Sequence, residues 1–330
     1  MERLTQLQAW LQQVLPEQTF SLAPASSDAS FRRYFRLNLD ARTLIAMDAP
    51  PAHENCAAFV HVAQLFSAAG VHVPQILAQD LHLGFLLLSD LGADTYLARL
   101  DETNADALYR DANAALIKIQ LASQPQQLLP YDEASLMREM RLFPDWYIAK
   151  HRTVELSSSQ TAVLENALQL VLSNVLAQPR VYVHRDYHSR NLMLSTPNPG
   201  ILDFQDAVYG PITYDLVSLY KDAYIAWDEA RVLDWLIRYW EDAKHAGLPV
   251  GDDFGAFYRD FEWMGVQRHL KVLGIFARLY HRDGKPGYLK DMPLVMHYLR
   301  TACERYRALG PLMQLLDELH GSEQQVGYTF

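Results

Sequence analysis

The period of the hydrophobic pattern changes once along the chain, and that change restricts the folds open to it. Before about residue 90 the apolar runs have strand length: Tyr34 to Leu39, Thr43 to Met47, Ile76 to Ala78 and Phe85 to Leu88. Two helical patterns, at 1–15 and 53–69, accompany them. In the first, Leu4, Leu7, Leu11 and Val14 recur at helical spacing. Pro50-Pro51 ends the second strand and Gly70 closes the second helix. After Asp90-Leu91-Gly92, long helical patterns take over at 104–122, 133–150 and 156–177. Strand-like pieces return at Val181–Val183, Leu192–Leu194 and Gly200–Leu202, and from 212 the chain reads almost entirely helical. The expected architecture is α+β: a small β-rich lobe over 1–91, a short connector, and a large, mainly helical lobe over 92–330. A ligand site is expected in a cleft between such lobes.

Half of the 330 residues are hydrophobic and 21% are charged, which suits a globular protein with a sizeable core. The net charge of -10 repels nucleic-acid phosphates, so no nucleic-acid partner is expected, and an anionic ligand needs local positive charge or a metal. Cys56 and Cys303 stand far apart in no metal-like spacing, which fits a reducing compartment. The first helix alternates polar and apolar residues, unlike a signal peptide, and no stretch is long enough to span a membrane. A cytoplasmic protein without a membrane partner is expected.

Chemistry concentrates at His184-Arg185-Asp186-Tyr187-His188-Ser189-Arg190-Asn191 and Leu202-Asp203-Phe204. Asp186 lies just past one short strand, Asn191 opens the next and Asp203 ends the one after. Strands this short can form a hairpin, bringing Asn191 and Asp203 together as oxygen ligands for a hard cation such as Mg²⁺. Asp186 is then free to act as a base. Phosphoryl transfer needs these parts: metal to neutralise charge on the phosphates, a carboxylate for the attacking hydroxyl's proton, and positioning. The kinase pattern is an aspartate, an asparagine five residues on, and a metal-binding Asp-Phe-Gly. Here Gln205 stands in place of the glycine.

His184–Asn191, Asp203 and Tyr209-Gly210-Pro211-Ile212-Thr213-Tyr214-Asp215-Leu216 resemble the aminoglycoside phosphotransferase/choline kinase family, which has a protein-kinase-like two-lobe fold. The branch most resembled is the bacterial anomeric N-acetylmuramate/N-acetylglucosamine kinases of cell-wall sugar recycling. That closer likeness rests on residues 27–36 and 47–51, Leu88-Ser89-Asp90-Leu91-Gly92, and Phe204-Gln205-Asp206-Ala207. The resemblance implies ATP and Mg²⁺ as cofactors and a sugar hydroxyl as acceptor. It implies Asp186 as catalytic base, Asn191 and Asp203 as metal ligands, and Asp215 as a brace for the catalytic loop. It also implies a connector at 88–92, including Ser89, Asp90 and Leu91, whose backbone pairs with adenine.

The nucleotide-covering segment departs from the pattern. There is no glycine before Gly70, no lysine before Lys118, and Met47 stands where a strand lysine is usual. The loop role falls to small residues at 26–30, Ser27 and Ser30 among them, whose N–H groups could approach phosphate. The charge role falls to Arg32, Arg33 or Arg36, of which Arg32 is favoured, with Glu54 as its possible partner. His184 is expected to fix the turn, and His188 has no assigned role. The pattern 263–282 gathers Arg268, Lys271, Arg278 and Arg282 in one arc, read either as a solvated basic face or as cations facing a cleft that takes a carboxylated sugar. Trp146 is either core or a platform for a sugar ring.

Three other readings stay open at this point. His184, Asp186 and His188 could hold zinc in a hydrolase. The missing lysine and glycines would suit a pseudokinase that binds without catalysis. An aminoglycoside- or choline-directed kinase differs only in the acceptor pocket.

Overall fold

The computed structural model describes residues 2–27 and 31–320. Contacts gather the chain into two units, Met1–Ala122 with Arg190–Ala207, and Ser123–Ser189 with Val208–Phe330.

In the first unit, α1 (Glu2–Val14) is followed by β1 (Ser21–Ser27), β2 (Arg33–Asn38), β3 (Thr43–Asp48), α2 (Cys56–Ala68), β4 (Ile76–Asp80) and β5 (Phe85–Ser89). The strands form one antiparallel sheet in the order β1-β2-β3-β5-β4. The helical stripe of α1 is what makes the unit cohere: Leu7, Trp10 and Leu11 are buried against Leu37, Leu44, Ala46, Phe85 and Leu87. Alternate residues of β2 and β3 supply that face, as the strand period requires. Asn55 caps α2, accepting from the amides of Ala57 and Ala58 at 3.0 and 3.3 Å. Helices α3 (Tyr96–Arg99) and α4 (Ala105–Leu121) complete the contiguous part.

The second unit begins with α5 (Glu133–Met140), a π-helix at Phe143–His151, α6 (Ser158–Ala177) and β6 (Arg180–Val183). The chain then returns to the first unit for β7 (Leu192–Met193) and β8 (Gly200–Ile201). β9 (Val208–Pro211) re-enters the second unit and pairs antiparallel with β6. Helices α7 (Tyr214–Tyr220), α8 (Glu229–His245), α9 (Phe254–His281), α10 (Met292–Arg305) and α11 (Gly310–His320) follow.

Two expectations are corrected. The segment at 26–30 was read as a loop, but β1 runs to Ser27, which pairs with Arg33; Ser30 lies outside the described residues. The single helix expected over 133–150 breaks after Met140 and resumes as a π-helix. Pro144, at the start of the second piece, has no N–H to give a continuing ladder. α9 packs closely on the break: a Cβ at Gly274 would come within 2.3 Å of the Leu142 carbonyl carbon, so only glycine fits.

Candidate active site

The hairpin anticipated between Asn191 and Asp203 is present. β7 and β8 pair Leu192 with Ile201 and Met193 with Gly200, and the Leu202 amide donates to the Asn191 carbonyl at 2.9 Å. His72 ties the hairpin to the rest of its unit, accepting from the Ile201 amide at 2.8 Å. Asn191 and Asp203 thus meet at one end, with Asn191 Nδ2 3.4 Å from Asp203 Oδ2. Gln205, where the kinase pattern has glycine, donates to Asp203 Oδ1 at 2.8 Å. Asp203 itself has φ of 61°, a left-handed conformation that a non-glycine residue adopts at a cost and often at functional sites. Phe204 anchors the turn, fully buried against Phe59 and Phe66.

Arg32 belongs to the same unit. Its guanidinium lies 3.6 Å from Asp203 Oδ1 and 3.8 Å from Glu54 Oε2, the partner anticipated for it. Burial would lower the guanidinium's pKa, but Tyr34, Asp203, Glu54 and Asp206 outweigh it and the group is held firmly cationic. The other two arginines are committed elsewhere. Arg33 pairs with Asp48, and Arg36 grips Asp90 with Nε at 2.6 Å and donates to the Gly92 carbonyl at 2.8 Å. The connector is therefore pinned to β2. Ser89 donates its amide to Gln75 and accepts from the Gln75 amide at its hydroxyl, while Leu91 is buried.

In the second unit the loop after β6 is held from within. His184 is buried, and its Nδ1 accepts from the Asp186 amide at 3.2 Å. Asp215, fully buried on α7, accepts from the amides of His184 and Arg185 at 2.6 and 2.9 Å. Burial pushes its carboxyl up to about 7 despite those two amides, and the charge of Asp186 adds to the shift. Arg185 takes φ of 77°, and its guanidinium pairs with Glu139 of α5. Ser189 donates backbone and side chain to Asp222 at 3.0 and 2.5 Å.

Asp186 keeps 43% of its side-chain area open. Crowding by protein would raise its pKa; Arg268, Lys271, His188 and Arg185, in falling order, outweigh this and hold the carboxyl well below the usual range. The basic arc of α9 divides accordingly. Arg268 and Lys271 are 7% and 6% exposed and face inward. Arg278 is half-buried, and Arg282 is exposed and paired with Asp283. Arg278 is ten residues beyond Arg268, or ~15 Å along the helix axis. Trp146 is half-buried in the π-helix.

Glu139 was missed at the sequence level, as was its tie to Arg185 and to Lys271 Nζ, which lies 3.1 Å away. The available signal was an acid on the apolar face of α5, three residues after the buried Leu136. Among the described residues no group of three His, Cys, Asp or Glu side chains is gathered as a zinc hydrolase would require. No helix of the described residues is long and apolar enough to cross a membrane.

The model of the phosphotransferase enzyme family matches residues 21–252, and the chain belongs to that family. Its fold is the α+β, protein-kinase-like one, with a five-stranded antiparallel sheet and a mostly helical remainder. Among solved structures it resembles the choline kinase LicA from Streptococcus pneumoniae, with TM-score 0.65 and 12% identity over 90% of this chain and 99% of that one. It also resembles the ADP-bound aminoglycoside phosphotransferase APH(2'')-Ib, with TM-score 0.59 and 14% identity over 89% and 97% of the two chains. Curated relatives are much nearer in sequence. The N-acetylmuramate/N-acetylglucosamine kinase of Pseudomonas aeruginosa is 54% identical across 96% of this chain and 97% of its own. The protein of the same name from Neisseria meningitidis is 50% identical across the whole of both.

Proposed function

We propose that the chain is an ATP-dependent kinase that phosphorylates the anomeric hydroxyl of N-acetylmuramate and N-acetylglucosamine, in the cytoplasm, as a step of cell-wall sugar recycling. The observation that carries this reading is 54% identity over 96% of the chain to a kinase named for these two sugars. Residues 1–91 would cover the nucleotide, and 92–330 would supply the catalytic loop, metal site and acceptor pocket.

Asp186 is assigned as the base. An anomeric hydroxyl is more acidic than other sugar hydroxyls, so a carboxylate can assist its deprotonation as the new P–O bond forms. Asp215 holds the loop that presents Asp186, through the amides of His184 and Arg185. The oxygens of Asn191 and Asp203 suit Mg²⁺, which commonly takes one or two carboxylates and completes its shell with phosphates and water. When bound, the metal neutralises charge on the nucleotide's phosphates. Arg32, between Glu54 and Asp203, is assigned to the phosphates in place of the usual lysine. The Ser89 amide is committed to Gln75, which favours Asp90 and Leu91 as the adenine-pairing positions. Arg278 and Trp146 are retained as acceptor contacts.

The test is ADP release with each sugar, with choline and an aminoglycoside as controls. Both amino sugars should turn over and lose reducing-end reactivity, and their methyl glycosides should be inert. Turnover of a methyl glycoside would remove the anomeric assignment. Mg·ATP binding without ADP release on any acceptor would favour a pseudokinase.

A further inference from the structure

Arg268 and Lys271 are cations on one face of α9, close to Asp186, and their hydrogen bonds are directed at the catalytic loop. Arg268 Nη1 donates to the Arg185 carbonyl at 2.8 Å and to the Tyr214 hydroxyl at 3.1 Å. Its Nη2 stands 3.8 Å from Asp186 Oδ1. Lys271 Nζ donates to the same Tyr214 hydroxyl at 2.9 Å and pairs with Glu139, which pairs in turn with the Arg185 guanidinium. Tyr131 closes the group by donating to Glu139 Oε2, the oxygen that also pairs with Lys271, while Arg185 takes Oε1. Arg185, whose backbone is left-handed, is thus held at its carbonyl by Arg268, at its amide by Asp215 and at its guanidinium by Glu139.

We infer that Arg268 is a positioning residue for the base: it fixes the Arg185 peptide and sets the orientation and charge of Asp186, rather than binding the carboxylate of an acceptor. The inference rests on the reading of Asp186 as base. Burial supports it, since a guanidinium 7% exposed, with Nη1 given to a carbonyl and a hydroxyl and Nη2 turned to Asp186, presents little surface to a ligand. Geometry supports it too, because a planar fork can reach a carbonyl, a hydroxyl and a carboxylate at fixed angles where an ammonium cannot. The charged groups facing Asp186 include Arg268 and Lys271 from α9, Arg185 and His188 from its own loop, and Asp215 from α7. Arg268 is the largest of the influences that keep the carboxyl ionised, so its loss leaves crowding less opposed and the base easier to protonate.

The two sugars make the test discriminating, because N-acetylmuramate has a carboxylate and N-acetylglucosamine does not. Arg268→Met and Arg268→Lys are compared with the wild type on both acceptors from about pH 5 to about pH 9, with far-ultraviolet circular dichroism as a check of folding. For Arg268→Met, kcat should fall roughly tenfold or more on both sugars alike, with the nucleotide KM unchanged. Its rate should also fall on the acid side more steeply than that of the wild type, whose own profile includes the titration of Asp215 at about 7. Arg268→Lys should recover part of the acid-side rate, because it keeps the charge, and less of kcat, because it loses the fork. A rise in KM confined to N-acetylmuramate would overturn the inference and make Arg268 an acceptor contact. A loss of kcat with an unmoved acid limb would also overturn it. If Arg268→Met does not fold, the acid limb and kcat of Arg268→Lys decide in the same way. If the wild type turns over neither sugar, the proposed acceptors fail. Slow ATP hydrolysis to water then reads the same limb, and a limb that moves in the variants still supports the inference.

Discussion

The Asn191–Asp203 end of the hairpin and the loop that carries Asp186 have opposite electrostatics. Around Asp203 acids outnumber bases: Glu54, Asp203 and Asp206 surround a single guanidinium, Arg32. Around Asp186 the reverse holds, with Arg268, Lys271, His188 and Arg185 against one carboxylate and the buried Asp215. An acid-rich end can receive a cation even with Arg32 beside it, because the carboxylates outnumber that one positive charge. A base-rich pocket keeps a proton acceptor unprotonated. Both are ways of preparing charge before substrate arrives, and phosphoryl transfer depends on such preparation more than on covalent steps.

The comparison is broken most severely at Asp186. Asp186→Asn keeps the shape and removes the proton acceptor, so kcat should drop by ~10²–10⁴ while Mg·ATP affinity stays near that of the wild type. Coupled ADP release and calorimetric nucleotide titration check the two halves, and near-normal turnover would end the base assignment. Next in size is Asp203→Asn at the other end. Nucleotide affinity should weaken about tenfold, or ~1.4 kcal/mol, and lose its dependence on magnesium, measured by titrating ATP with and without the metal. An unchanged magnesium dependence would remove Asp203 from the metal site.

A third substitution tests whether the loop's own frame is separable from its charge. Asp215→Asn leaves one acceptor oxygen for the two amides of His184 and Arg185, and the NH₂ it introduces would face an amide donor. One buried hydrogen bond left unmade costs ~1–3 kcal/mol, which urea unfolding should register alongside a smaller loss of kcat than in Asp186→Asn. If stability is unaffected, Asp215 does not brace the loop.

The two regions also differ in how far the sequence reveals them. The hairpin was legible because its strands are short apolar runs close together, and because Asn191 opens the first and Asp203 ends the second. The network beneath Asp186 was not, because its members are far apart along the chain: 46 residues separate Glu139 from Arg185 and 83 separate Arg185 from Arg268. Periodicity reports which face of a helix is buried, not which distant helix it meets. Arg268 and Lys271 accordingly read as a basic face shared with Arg278 and Arg282, and packing divides the four. β1 was hidden for a different reason. Ser-Leu-Ala-Pro-Ala-Ser-Ser has little strand propensity of its own, and its pairing with β2 gives it its conformation.

That division of α9 gives the smallest expected effect and the sharpest control. Arg282 closes the helix in solvent, where it pairs with the neighbouring Asp283 at 2.7 Å. Exposed pairs of this kind contribute little, because water screens the attraction and the side chains lose freedom in forming it. Arg282→Ala should therefore leave the melting temperature, the acid limb of the rate profile and both sugar KM values where they are in the wild type. Steady-state kinetics on N-acetylmuramate and N-acetylglucosamine measure this directly. A raised KM for the carboxylated sugar alone would mean that the exposed end of α9 reaches the acceptor. The helix would then be a single basic surface, as its sequence suggests, rather than two regions with different work.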